Sequence, residues 1–495
     1  MNKFIDAMTD ATNFGYTENG AIKRNTTKSD LLDMFAFGGA YRSRSDVDVI
    51  LLFKNAYAEN PAYALKCLFY LRDILEGQGE RRFFRTCMHW LAKQDVEAVR
   101  RNLRHIPLYG RWDDLYCFVD TPIEQDAFDF MKEQLALDVT CKTPSLLAKW
   151  LASENTSSQK TRNLAHKTRV AFGMTHKQYR KTLSLLRERL NIVERLMSAN
   201  EWDKIEYDKI PSRAGMLYKN AFARHDIERL KKNPQVQSYA DFAKDETKSV
   251  NARALYPYEC VAEALRHGYS NLEDTSRLMT NKYWDNLHDY FQGAALDGMC
   301  VVDVSGSMYG TPIQVAISLG LYCAEKAQGP YHGHFITFSE RPQFVKVEGI
   351  DFCDKVNRMI GADWGMNTNI EAVFDLMLNT ARNNHLKQDE IPQRIIVVSD
   401  MEFDSCATSN GYRSFNKETL FETMRNKWRA YGYEMPALTF WNVDARSNNV
   451  AMRDDGNIQY VSGMSPVIFE QVMKNLGAYD LMMDKLNSDR YSAIG

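Results

Sequence analysis

Three oxygen-bearing side chains on alternate positions, Asp303, Ser305 and Ser307, follow an apolar run in "MCVVDVSGSMYGTP", residues 299–312. A carboxylate and two hydroxyls with no His or Cys nearby suit a hard divalent cation, Mg2+ above all, which takes oxygen ligands and keeps several waters. Such a partial cage needs more oxygens from other loops. Two are well placed: Thr368 in "GMNTNIEAVFD", at the start of an expected helix, and Asp400 at the end of "IIVVSD". The candidate metal set is therefore Asp303, Ser305, Ser307, Thr368 and Asp400, holding Mg2+ or another divalent cation. Glu402 and Asp404 follow closely and read more simply as a solvated loop than as a second layer of acids. A phosphatase of the DxD type would need an acid at 305, where this chain has serine.

These residues need a fold that carries them to one edge. After about residue 295, apolar runs alternate with helical patterns. The pattern predicts strands at 299–304, 333–338, 343–347, 394–399, 437–443 and 457–461, and helices at 312–327, 351–360, 369–383, 416–431 and 465–476. Runs such as "RIIVVSD" and "ALTFWNVD" suit parallel strands buried on both faces. The expected architecture is a doubly wound α/β domain over residues 293–495, whose ligands bind at the carboxyl ends of the strands.

From about residue 30 to 290 the apolar period is helical instead, with segments at 46–58, 61–76, 80–93, 123–138, 143–152, 160–171, 214–231 and 258–267. In "THKQYRKTLSLLRERLNIVERLM", Tyr179, Leu183, Leu186, Leu190 and Val193 form one stripe, and Lys177, Arg180, Lys181 and Arg187 lie opposite. Thr175 is the expected N-cap. Short polar or Gly/Pro breaks separate the segments, which reads as stacked, HEAT-like helical pairs over residues 31–292 behind an N-terminal segment 1–30. Gly110-Arg111-Trp112, followed by Asp113 and Asp114, reads as a turn held by an Arg–carboxylate pair.

At 495 residues the chain exceeds what one core supports, and its 44% apolar and 25% charged residues are those of a globular protein. Charge is uneven: residues 142–232 hold 20 Lys/Arg against 9 Asp/Glu, and residues 298–495 hold 18 against 24. A basic middle permits an anionic partner. The nine cysteines are dispersed, with no CxxC spacing, as expected of reduced thiols in the cytosol. "MNKFIDAMTDATNFGY" does not read as a signal peptide, and no apolar run approaches the roughly 18 residues a membrane span needs. A cytoplasmic protein without membrane contact is the expectation. No P-loop, HExxH or GxSxG occurs. His89, His105, His225 and His385 stand isolated, so an enzyme is not expected.

The motif set resembles a known family. DxSxS, a distant Thr at a helix start and an Asp after a later apolar strand are similar to the metal-ion-dependent adhesion site of von Willebrand factor A domains, over about residues 296–480. The resemblance implies that Asp303, Ser305, Ser307, Thr368 and Asp400 bind the ion directly or through water. It also implies that an open coordination position takes an acidic side chain of a partner protein. Over nearly the whole chain, phrases such as "LRDILEGQGERRFFR", "IPLYGRWDDL" and "LLAKWLASENTSSQKT" resemble a family of intracellular proteins from plants, fungi, large DNA viruses and phages. More remotely, the architecture is similar to the Ro autoantigen (TROVE) family, whose helical repeats form a ring that binds RNA.

That last likeness implies RNA as a partner, which needs cations for phosphates and planar groups for unstacked bases. Lys149, Lys160, Arg162, Lys167, Arg169, His176, Lys177, Arg180 and Lys181 supply the cations. The competing reading is a solvated basic face. The expected function is a non-enzymatic RNA-binding scaffold with a Mg-dependent adhesion-type site. The alternative is a metal-dependent protein-interaction scaffold that binds no RNA.

Overall fold

Strands with side chains buried on both faces must sit inside a sheet covered by helices, and β3 (Gly298–Asp303) and β6 (Arg394–Ser399) are buried at every position. The computed structural model describes the chain except residues 1–3, 5–7, 9–11, 268–270, 339–340, 361–368, 404–418, 447, 452–456 and 475. It divides into two compact units.

The first unit comprises Met1–Cys67, Leu255–Leu272 and Leu287–Arg490. A short antiparallel pair, β1 (Phe14–Tyr16) and β2 (Ile22–Arg24), opens it. Its main sheet has six strands, adding β4 (His334–Phe338), β5 (Gln343–Lys346), β7 (Ala437–Asn442) and β8 (Ile458–Ser462) to β3 and β6. The order is β5-β4-β3-β6-β7-β8, parallel except for the antiparallel edge strand β5. That is a doubly wound mixed sheet, and each strand falls within a residue or two of its expected position. The helix Thr311–Lys326 packs on β3 through Gly320, where a Cβ would come within 2.6 Å of Val302 Cγ2. The helices Phe352–Ile360, Ile370–Asn383, Leu420–Ala430 and Ile468–Val472 also answer to expected segments.

By packing, the first unit also takes in helices from the N-terminal half, a division different in kind from the sequence segments 1–30, 31–292 and 293–495. Helices Asp30–Phe37 and Asp46–Glu59 belong with the sheet, as does Pro257–His267. The Gly39 amide donates to Ser462 Oγ at the end of β8 (3.0 Å), and the Ala445 amide to the Ala40 carbonyl (3.0 Å). The reason for the difference is physical. A 3.6-residue period identifies a helix but does not say which surface its apolar face meets.

The second unit, Leu68–Ala254, Glu273–Asn286 and Tyr491–Gly495, has helices and no strand among its described residues. The helices Arg81–Gln94, Glu124–Thr140, Gln159–Ala171 and Ser212–Lys232 match expected segments. Thr175 caps His176–Arg189 in a capping box with Gln178. The helix does not run on to Met197 as one piece. Asn191 takes φ +47°, and a second helix, Val193–Ser198, follows. Tyr179, Leu183, Leu186 and Val193 are still all buried.

The "YGRWDD" turn is held as expected: Arg111 Nη2 lies 2.6 Å from Asp113 Oδ2. Asp114, fully buried, adds Arg72 at 2.7 Å and Arg85 at 2.6 Å. Gly110 leaves room for this, since a Cβ there would lie 2.3 Å from Asp114 Oδ2.

Candidate metal centre

The neighbouring parallel strands β3 and β6 pair Val302 with Val398, so their ends emerge side by side. β3 ends in Asp303, and β6 ends in Ser399 with Asp400 next. Asp303 accepts from the Ser305 amide through Oδ1 (2.9 Å) and from the Ser399 hydroxyl through Oδ2 (2.5 Å). The chain then turns through Gly306–Met308, which brings Ser305 Oγ and Ser307 Oγ to 3.1 Å. Asp303, Ser305, Ser307 and Asp400 thus share one sheet edge. Thr368 lies outside the described residues; the helix Ile370–Asn383 that follows it is capped by Asn369.

The electrostatics of this edge are unusual. Asp303 and Asp400 are fully buried. Burial, then the charge of Asp400, push the Asp303 carboxyl up to about 7. Burial also raises Asp400, moderated by the Glu402 amide, the Ser307 hydroxyl and the Arg446 charge. Asp400 Oδ1 accepts the Glu402 amide at 3.2 Å, while Oδ2 is buried without a hydrogen-bond partner among the described residues. Arg446 Nη2 lies 3.8 Å from it. A buried carboxylate oxygen left without a partner is costly, and a small cation beside it would remove that cost. The oxygen-only donor set fits Mg2+ on chemistry. No group of three or more His, Cys, Asp or Glu converges among the described residues, so hydroxyls would have to complete such a shell.

Sequence reading missed the support behind these residues. Glu402 is not in a solvated loop: it is fully buried and accepts from the Glu18 amide (2.7 Å) and Asn449 Nδ2 (2.9 Å). Asp404 lies outside the described residues. The N-terminal segment braces the β6 loop further. Thr17 Oγ1 donates to the Phe403 carbonyl at 2.6 Å, and Asn19 Nδ2 to the Glu402 carbonyl at 2.6 Å. Buried Lys23 bonds Asn449 Oδ1 and the Asn448 carbonyl; burial lowers its ammonium, against the pull of Glu402. Between Asp400 and Glu402, Met401 takes φ +66°, a left-handed conformation that the Asn449 amide holds by donating to the Met401 carbonyl (3.0 Å). The only local hint was the acid at 402; nothing in the "YTENGAIK" pattern points across the chain.

The nine basic candidates of the helical unit fall into two sets. Lys167 pairs with Asp120 (2.7 Å), and Arg169 and His176 share Glu154 at 3.1 and 2.8 Å. Arg162 is turned onto the Thr156 and Ser157 carbonyls, and Lys149 lies 5.6 Å from the Trp150 ring centroid. Lys160, Lys177, Arg180 and Lys181 are exposed and make no ion pair among the described residues. Arg187, expected on their face, is instead half-buried and donates to the Ala148 and Leu151 carbonyls and to Ser153 Oγ.

Fold and site together define a helical N-terminal region followed by a mixed α/β sheet with an oxygen-lined carboxyl edge. Comparison with known proteins gives the family. Residues 17–127 and 136–292 match the family model described as Domain of unknown function (DUF2828), and residues 297–491 match Domain of unknown function (DUF7788). Neither is the model of the von Willebrand A or the Ro family. The chain is 33% identical to "Uncharacterized protein L728" of Acanthamoeba polyphaga mimivirus, over 93% of this chain and 85% of the viral one. The chain belongs to this family. No helix among the described residues is long and apolar enough to cross a membrane.

Proposed function

We propose that the α/β unit is a von Willebrand A-like module that holds Mg2+ or another divalent cation through Asp303, Ser305, Ser307, Thr368 and Asp400. On this reading the protein is a non-enzymatic scaffold that recruits an acidic side chain of a partner protein to the ion. The observation that carries it is Asp400 Oδ2, buried and without a hydrogen-bond partner among the described residues, beside the equally buried Asp303. The strand order with one antiparallel edge strand supports the fold assignment. A bound cation would supply the electrophilic point that takes the partner's carboxylate. The chain's own part is to orient the two aspartates through Ser399, the Ser305 amide and the Glu402 amide, and to keep water from their buried sides.

The test is calorimetric titration of the full chain with Mg2+, followed by capture of partners in Mg2+ and their release by EDTA. Saturable binding and Mg2+-dependent capture, both lost in Asp303→Ala, are expected. Absence of Mg2+ binding, or capture indifferent to EDTA, overturns the reading.

One observation favours a second, Ro-like reading for the helical unit. Lys160, Lys177, Arg180 and Lys181 stand exposed and make no ion pair among the described residues, which suits cations that meet phosphates. RNA binding by that face is independent of the ion and would fall steeply with salt.

A further inference from the structure

Arg446 touches both halves of the aspartate edge. Its Nη2 donates to the Ser307 carbonyl, on the β3 side. The same nitrogen lies 3.8 Å from Asp400 Oδ2, on the β6 side. Its Nη1 pairs with Glu18 Oε2 at 3.0 Å. The backbone beneath is pinned, because the Arg446 carbonyl accepts from Arg44 Nη1 and the preceding Ala445 amide donates to the Ala40 carbonyl. The guanidinium is therefore held at the mouth of the site by the chain around it, with about a third of its surface exposed.

The 3.8 Å separation is too long for a hydrogen bond but close enough for an ion pair. Asp400 Oδ2 thus feels a positive charge that does not satisfy it. A divalent ion at that oxygen would meet the same charge as a repulsion. Glu18 lies on the other side of the guanidinium, and its own side chain is half exposed, so it is free to follow the arginine outward.

We propose that Arg446 is the chain's own competitor for Asp400, opposing the divalent cation, and that Glu18 is the acid that draws the guanidinium off when the cation binds. The pair then sets the affinity of the site. This inference rests on the divalent-cation reading above.

Opposite signs make it testable. Arg446→Gln removes the competing charge and tightens Mg2+ binding, by roughly three- to tenfold for one charge near a partly screened site. Glu18→Gln leaves the guanidinium uncompensated and weakens Mg2+ binding by a similar factor. The double variant behaves like Arg446→Gln, because Glu18 acts only through the arginine. Calorimetric titration of the full chain with Mg2+ reads all three, and the shift of melting temperature between EDTA and saturating Mg2+ reads them a second time. Melting in EDTA alone identifies any variant that is merely misfolded; Arg446→Met, uncharged and of similar length, then replaces Arg446→Gln with the same expectation, while Arg446→Lys, which keeps the charge, should leave the affinity within about twofold of wild type. Weaker binding in Arg446→Gln, shifts of the same sign in both single variants, or no shift in either overturns the inference. If wild type binds Mg2+ and Asp303→Ala does not while Arg446→Gln equals wild type, this inference alone fails. If wild type takes up no Mg2+, the cation reading fails and this one falls with it.

Discussion

Two pairs of acids, one in each unit, are buried in opposite ways. In the helical unit, Asp113 and Asp114 are met by Arg72, Arg85 and Arg111 at 2.6–2.9 Å. Burial pushes Asp113 up, but the guanidiniums of Arg111 and Arg85 outweigh it and hold the carboxyl below its ordinary value. In the α/β unit, Asp303 and Asp400 are both fully buried, more deeply than Asp113, yet they face hydroxyls, amides and one arginine at 3.8 Å. Asp303 accordingly moves the other way, up to about 7. The first pair is complete and holds a turn together. The second leaves Asp400 Oδ2 without a hydrogen-bond partner among the described residues, and on the proposed reading that is where a cation sits.

The largest expected effect comes from breaking the complete pair. Asp114→Ala leaves Arg72, 2% exposed, without its partner, and Arg85 loses one of its two. Removing one member of a buried network typically costs about 3–5 kcal/mol. Chemical denaturation should show that loss equally in Mg2+ and in EDTA. A cost that depended on Mg2+ would mean the two pairs are not of different kinds.

Neutralising the incomplete pair should do the reverse. Asp303→Asn keeps the shape and removes a charge that burial disfavours, so stability in EDTA at pH 8 should hold or rise. What it should lose is stabilisation by Mg2+, about 2.7 kcal/mol at a hundredfold excess over Kd. The pH dependence has a definite sign. Asp303 in the folded state keeps its proton up to about 7, whereas the unfolded carboxyl releases it near 4, so folded protein binds more protons in that window. Its contribution to stability is therefore present at low pH and is lost as pH rises from about 4 to 7. Asp113, held low, acts oppositely: its contribution is present above the ordinary carboxylate value and is lost as pH falls through the depressed one. Melts in EDTA between pH 5 and 8 should slope downward for wild type and flatten in Asp303→Asn. An unchanged slope would remove the aspartate edge as its source.

The comparison also explains what the sequence could reveal. β3 and β6 were legible because a strand buried on both faces is a largely apolar run, and the residue that ends it at the carboxyl edge of the sheet is polar. The Arg111–Asp113 turn was legible because its partners are two residues apart. The brace behind Asp400 was not. Thr17 reaches Phe403 across 386 positions, and Lys23 reaches Asn449 across 426. A short polar segment with no period carries no trace of such partners. Arg187 misled for a related reason: helical phase put it opposite the apolar stripe, but the neighbouring 148–153 segment folds over it and takes its donors.

The smallest effect on stability, and the sharpest test of how the units differ in function, lies on the helical surface. Arg180 and Lys181 are exposed and make no ion pair among the described residues, so Arg180→Glu with Lys181→Glu should change stability by no more than about 0.5 kcal/mol. If that face neutralises phosphates, the same pair of changes should weaken RNA binding at low salt by tenfold or more and make the dependence of log Kd on log salt shallower by roughly one to two, as the lost contacts no longer release counterions. Mg2+ uptake at the aspartate edge should be untouched. The control is built in: Lys167→Glu alters a lysine already paired with Asp120 and Glu124, so its cost should fall on local stability rather than on the salt slope. Titrations of labelled single-stranded RNA at several salt concentrations distinguish the cases. An unchanged slope with Arg180 and Lys181 reversed would leave the basic face a solvated surface and the aspartate edge as the unit through which the protein binds.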